Sequence, residues 1–363
     1  MSVFRALWVM TSALPIVGCG GWAETCGRPT LSERAASVVV SDLESCARTA
    51  GGEVTCWGGC ARLSREATVT HVEPDEVLWA GGDTVCVASS EGLRCSGGDA
   101  FEPVLGVASR PGWVGIEDWV GLMIVDDHLL RFPSVPGVRD GGRMPLEVRG
   151  RWPLPPSFVG VLHYGGAGVA VRRDGAIVGT RGDEIARLAI GDLVFVTGSV
   201  QYGCAMHERG ALYCWAPRSL PSAPPVIEHV AITDVAEVLA AGLQGPHPDT
   251  IPFGAHACAR RTNGEVWCWG DDGCDAQPIR LPGPINACDR HRAEHPEQVL
   301  LPGPATDIAV APHHACAVTE DGSVYCWGSN FWGALGDGTR IDSAIPVRAL
   351  AGANSDAASV GAP

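Results

Sequence analysis

Hydrophobic and polar positions along this chain alternate in short runs separated by polar, glycine-bearing turns, the pattern of β-strands rather than long helices. The clearest stretch lies near the C-terminus, where 306–311, 314–319, 323–328 and, after a glycine-rich loop, 345–350 each read as a strand. Four segments, 45–58, 203–215, 257–270 and 315–328, share one plan: Cys-Ala, a polar turn with Gly six residues after the Cys, then an aromatic or β-branched approach to a second Cys. The pairs are Cys46 with Cys56, Cys204 with Cys214, Cys258 with Cys268 and Cys316 with Cys326. A hairpin turning midway sets each pair opposite one another, at a separation a disulfide bridges.

The plan recurs in weaker copies. Cys86 and Cys95 stand nine apart around a shorter turn, and two copies lack the cysteines, 121–132 and 168–179, the second keeping Asp174-Gly175 as its turn. The first-Cys position falls at 46, 86, 123, 169, 204, 258 and 316, so units of 35 to 58 residues repeat seven times. Seven units of four short strands predict an all-β, seven-bladed β-propeller over residues 36–350. The first unit shows no strand ahead of 37–41, so the C-terminal strand at 345–350 is expected to join the first blade and close the ring.

Composition agrees with many turns: 47 Gly and 27 Pro are spread along 363 residues. All 26 basic residues are Arg, and the formal net charge of −15 argues against a phosphate backbone as partner, so no nucleic acid is expected.

The N-terminus carries Arg5, an apolar run from Ala6 to Leu14, and Ile16-Val17-Gly18-Cys19, the form of a lipoprotein signal over residues 1–18 with Cys19 as the acylated residue. A competing cut after Ala23 would release a soluble product. Either cut removes Cys19 from the thiol pool and leaves 14 cysteines, an even number suited to pairing in an oxidising compartment. Residues 19–35 read as a linker and 351–363 as a flexible tail. Of the cysteines outside the hairpins, Cys274 and Cys288 are near in sequence and Cys26 and Cys60 remain, a pairing that sequence leaves open.

The last unit identifies a resemblance. Gly328-Ser329-Asn330-Phe331-Trp332-Gly333-Ala334-Leu335-Gly336-Asp337-Gly338-Thr339, following His313 to Gly322, resembles a repeat of the RCC1 (regulator of chromosome condensation) family, and the Cys-Ala…Cys-Trp-Gly variant resembles secreted bacterial members. The likeness extends over residues 36–350, fading in the third and fourth units. It implies a seven-bladed propeller used as an interaction platform, while the fold by itself fixes no activity.

Candidate chemistry is sparse. His291-Arg292-Ala293-Glu294-His295 fits a zinc-hydrolase pattern that needs one helical face, yet it lies in a Pro-rich loop of a β-rich chain. His256, His313 and His314 precede Cys-Ala, where Tyr202 or Ser45 stands in other copies, so packing is the expected role. Trp57, Trp215, Trp269 and Trp327 follow the second Cys and are expected in the core between blades. The acidic loop 271–275 lacks calcium-ligand spacing, and Arg181-Gly182-Asp183 is too short to be specific. No phosphate loop, nucleophile elbow or C-x-x-C pair is present.

The expected function is that of an exported, lipid-anchored, monomeric scaffold of the cell envelope. It binds an envelope or extracellular protein through the long loops at 216–250 and 271–304, with no catalytic residue, metal or cofactor. A hydrolase or lyase with an axial site, and a soluble secreted inhibitor, are the alternatives.

Overall fold

The computed structural model describes residues 31–59, 68–73, 76–81, 84–89, 92–96, 101–106, 113–117, 120–125, 128–133, 150–164, 167–200, 202–216, 226–241, 256–271 and 292–350. Among them every regular element is a strand, and no helix is long and apolar enough to cross a membrane.

The strands make seven antiparallel sheets of four, each in chain order. The first holds β1 (Ala35–Val40), β2 (Glu44–Thr49), β3 (Glu53–Gly58) and β4 (Thr68–His71). The second holds β5 (Val77–Gly81), β6 (Thr84–Ser89), β7 (Gly92–Ser96) and β8 (Phe101–Gly106), and the third β9 (Trp113–Glu117), β10 (Val120–Val125), β11 (His128–Pro133) and β12 (Gly150–Pro153). The fourth holds β13 (Phe158–Tyr164), β14 (Ala167–Arg172), β15 (Ala176–Val178) and β16 (Glu184–Arg187), and the fifth β17 (Leu193–Gly198), β18 (Gly203–His207), β19 (Leu212–Ala216) and β20 (Val226–Val230). The sixth holds β21 (Val235–Ala241), β22 (His256–Arg261), β23 (Val266–Asp271) and β24 (Arg292–Val299), and the seventh β25 (Ala305–Val310), β26 (His314–Thr319), β27 (Val324–Gly328) and β28 (Ser343–Leu350).

The middle hairpins form where the repeated pattern places them. Cys46, Cys204, Cys258 and Cys316 face Cys56, Cys214, Cys268 and Cys326 in register, with Cα atoms 4.0 to 4.1 Å apart, and each pair is joined. Cys86, which faces Cys95 in register, is also disulfide-bonded. Cys19, Cys26, Cys60, Cys274 and Cys288 lie outside the described residues, as do the linker before residue 31 and the tail from 351. The fourth sheet has no cysteine and coheres through buried Val169, Val171 and Ile177 packed on Leu162 and Leu188.

The C-terminal strand does not join the first sheet. β28 pairs with β27 and completes the seventh sheet, while β4 gives the first sheet a fourth strand of its own. Thr68–His71 is four residues long and carries no repeat mark, so sequence pattern passes over it. The strand then has no vacancy to fill at the first sheet.

The core lies between sheets. Neighbouring sheets share buried clusters, such as Cys46, Val54, Leu78 and Val87 between the first and second, and Val238, Ala257 and Trp269 with Tyr202 and Leu212 between the fifth and sixth. The first strands of successive sheets are neighbours through much of the series, and β1 packs beside β25. There the first and seventh sheets share Ala35, Val38, Val40, Trp57, Cys316, Val318 and Leu335 in one cluster.

Two features recur at these junctions. β1, β13, β17, β21 and β25 each carry a bulge near the start, which leaves the next residue, Ser37, Gly160, Phe195, Glu237 or Asp307, at an equivalent place. The turn glycine of one sheet also receives the first strand of the next: Ala305 donates its amide to the Gly264 carbonyl at 2.8 Å, and Ala35 donates to the Gly322 carbonyl at 3.2 Å. The last and first sheets thus meet through the bond that joins the sixth and seventh.

Candidate functional site

The aromatic and histidine positions singled out by the repeat are interior. Trp57, Trp215, Trp269 and Trp327 are all buried between sheets, closed to a stacking sugar. Two of them also anchor backbone: Trp57 Nε1 donates to the Ala334 carbonyl at 2.8 Å and Trp215 Nε1 to the Ser199 carbonyl at 3.1 Å.

His256, His314 and Tyr202 occupy the same buried position in three successive sheets. The His314 Nε2 lies 2.8 Å from Ser45 Oγ, which donates its single hydrogen to the Ala334 carbonyl at 2.9 Å. The assignment that satisfies both has Nε2–H donating to Ser45, leaving Nδ1 buried without a hydrogen-bond partner. Burial, with lesser contributions from His313 and His256, pushes the His314 imidazole down to about 3, so the ring is neutral at physiological pH. Among the described residues no group of three or more His, Cys, Asp or Glu is arranged to hold a metal ion.

The zinc-hydrolase pattern falls on β24, where side chains alternate across a strand and no helical face exists; His295 is exposed there, and His291 lies outside the described residues. Arg181-Gly182-Asp183 sits in an exposed turn closed by the Gly182 amide on the Gly179 carbonyl at 2.9 Å. Residues 272–275, and most of the loops at 216–250 and 271–304, lie outside the described residues.

A polar group that sequence reading missed lines the first strands. Glu237 on β21 pairs with Arg260 on β22 at 3.2 Å, and Asp307 on β25 accepts the Val38 amide of β1 at 2.8 Å. Burial raises both carboxyls, opposed in Glu237 by the hydrogen bond from Arg260, and pushes Asp307 up to about 6 against the Val38 hydrogen bond. Asp307 also feels the charge of Glu237, so two part-buried carboxylates answer to one guanidinium. A signal exists in the sequence: Ser37, Gly160, Phe195 and Asp307 each stand nine residues before the first-Cys position. Glu237 breaks that spacing because the loop after β21 is longer.

The second surface is the glycine loop between β27 and β28. Asn330 is fully buried and organises it: its amide nitrogen donates to Asp337 and Thr339, its carbonyl accepts the Leu335 amide at 2.9 Å, and its backbone amide donates to Asp342 at 2.6 Å. Leu335 is buried against the first sheet. On the outer side the loop presents half-buried Phe331 and Trp332 in edge contact at 4.8 Å, Arg340 stacked 5.1 Å over the Phe331 ring, and Ile341, which is 62% exposed.

The chain is similar to known proteins over part of its length. The Regulator of chromosome condensation (RCC1) repeat matches residues 254–275, 306–331 and 321–362. The chain is 29% identical over 163 residues to the human E3 ubiquitin-protein ligase HERC2, covering 41% of this chain and 3% of that protein. It is 32% identical over 98 residues to a zebrafish (Danio rerio) RCC2 homolog, covering 26% of this chain and 18% of that one. Among solved structures, yeast RCC1 (Prp20) bound to Kap60 is similar at 13% identity with a TM-score of 0.46, covering 86% of this chain and 74% of that chain. Apo AztD from Citrobacter koseri is similar at 13% identity with a TM-score of 0.48, covering 89% and 82%.

Proposed function

We propose, from the chain's place in the RCC1-like repeat family, that it is an exported cell-envelope lipoprotein, anchored through Cys19, whose seven sheets are the blades of a closed propeller serving as a protein-binding scaffold. Ring closure is supported by the repetition at the seam: Gly322 meets Arg34 and Ala35 as Gly264 meets Pro304 and Ala305. Packing and hydrogen bonds, rather than a shared strand, do the closing.

The binding role rests chiefly on the loop at 329–342. Its interior is satisfied by Asn330, Asp337 and Asp342, so the outer residues are held in place before any partner arrives. Trp, Arg and flanking apolar side chains, fixed in a partly exposed patch, are the residue types that dominate protein interfaces. Several ionised groups of the fourth to sixth sheets are engaged with one another instead. Arg173 pairs with Glu208 across two sheets, Arg187 with Glu184 and Asp174, and Arg261 with Glu265 and Asp234. That arrangement suits a structural platform better than proton transfer.

Affinity capture from the envelope fraction tests this. Wild type should retain a discrete partner that Trp332→Ala and Ile341→Glu, melting as the wild type does, lose at least tenfold. Equal capture by both variants removes the loop from the account. Mass spectrometry of the mature N-terminus separates a diacylglyceryl Cys19 from a free Glu24.

A further inference from the structure

Asp307 occupies the bulge position of the seventh sheet, at the junction with the first. Its carboxylate spans the junction between the seventh and first sheets, accepting the amide of Val38, which lies 269 residues away in sequence. At the corresponding junction of the fourth and fifth sheets the position is Gly160, packed directly on Val196, where an added Cβ would meet Val196 Cγ2 at 2.5 Å. A carboxyl stands at the seam where that junction has only backbone.

The charges facing it are unbalanced. From the sixth sheet come Glu237 on β21 and Arg260 on β22, already paired with each other. β1 offers Ser37 and the Val38 amide and carries no ionisable side chain between Ala35 and Val40. On β26 the register partner is Val318, and the one titratable group of that strand, His314, lies at its opposite end. An ionised Asp307 is therefore partly desolvated and near a second carboxylate, with the Val38 and Ile308 amides and a shared guanidinium in its favour.

We propose that the junction between the last and first sheets is a proton-controlled seam, tight while the Asp307 carboxyl is neutral and loosened once it ionises. A neutral carboxyl still accepts the Val38 amide through its carbonyl oxygen, adds no charge beside Glu237, and leaves Arg260 to its own partner. Ionisation adds a charge in a place that hydrates it poorly. The cost falls on a contact that joins the ends of the repeat array through a side-chain carboxyl. Because the folded-state value, about 6, lies above the ordinary 3.8, this contribution to stability is complete below the ordinary value and is lost as pH rises through the folded one.

Thermal melting of the full chain with Asp307→Asn and Glu237→Gln tests the seam. Asn keeps an oxygen acceptor for Val38 and cannot ionise. Asp307→Asn should melt with the wild type at about pH 3.5 and above it, by on the order of 5 °C, at about pH 7.5. In a Glu237→Gln background the gap that Asp307→Asn opens at about pH 7.5 should narrow, because the charge that helps raise Asp307 is gone. A difference between wild type and Asp307→Asn that is constant across this range overturns the proposal. If Asp307→Asn does not fold, hydrogen exchange of the wild type decides. Amides of 35–40 should lose protection between the same two pH values, after correction for the chemical rate, while those of β17 and β18 keep theirs. Unchanged protection at 35–40 overturns it equally.

Discussion

His314 illustrates how a residue of chemical promise becomes a structural one. Its ring is buried, holds Ser45 across the seam, and is kept neutral by desolvation. Its folded-state value, about 3, lies below the ordinary 6.5, so the unfolded chain takes up a proton first as the pH falls. Stability from this group is therefore present above about 6.5 and drains away toward 3, opposite in sign to Asp307. Replacing His314 with Leu should lower stability at neutral pH by about 1–3 kcal/mol through the lost Ser45 contact. The deficit relative to wild type should shrink at about pH 4.5, as read by urea denaturation. A deficit that grows on acidification would mean the ring is charged in the folded state.

At the scale of single elements, turn glycines separate local strain from contact between sheets. Gly210, Gly264 and Gly322 occupy the same hairpin position with φ of +79°, +81° and +79°. A Cβ at Gly210 meets nothing within 4 Å, whereas one at Gly264 meets Pro304 Cβ at 2.5 Å and one at Gly322 meets Arg34 Cβ at 2.4 Å. Gly210→Ala should cost about 1 kcal/mol, the strain of a left-handed alanine, and the other two distinctly more. Equal costs at all three, measured by denaturant unfolding, would indicate that the turns do not bear on the next sheet.

The hairpins were legible because covalent chemistry marks them: a Cys at each end and a Gly between fix both register and turn. β4 was not, since Thr68–His71 follows an unpatterned stretch and is defined by pairing with Glu53 to Cys56. Glu237 and Asp307 escaped for another reason. The position they share holds Ser, Gly or Phe elsewhere, and their partners, a backbone amide and a neighbouring strand's arginine, leave no trace in local pattern.

At the scale of the whole molecule the repeat is what sequence conveys best, and the contact between its first and last sheets what it conveys least. Four strands per unit and seven units follow from spacing, whereas the seam depends on residues nearly the full chain apart, such as Ser45 with His314 and Trp57 with Ala334. In the proposed ring, closure would bury the terminal faces without a capping unit and give the loop at 329–342 a rigid base. The most direct test of that closure is a double-mutant cycle between Ser45→Ala and His314→Leu, read by equilibrium unfolding. Closure predicts that the two losses fail to add by on the order of 1 kcal/mol. Losses that add to within about 0.3 kcal/mol would contradict a closed ring.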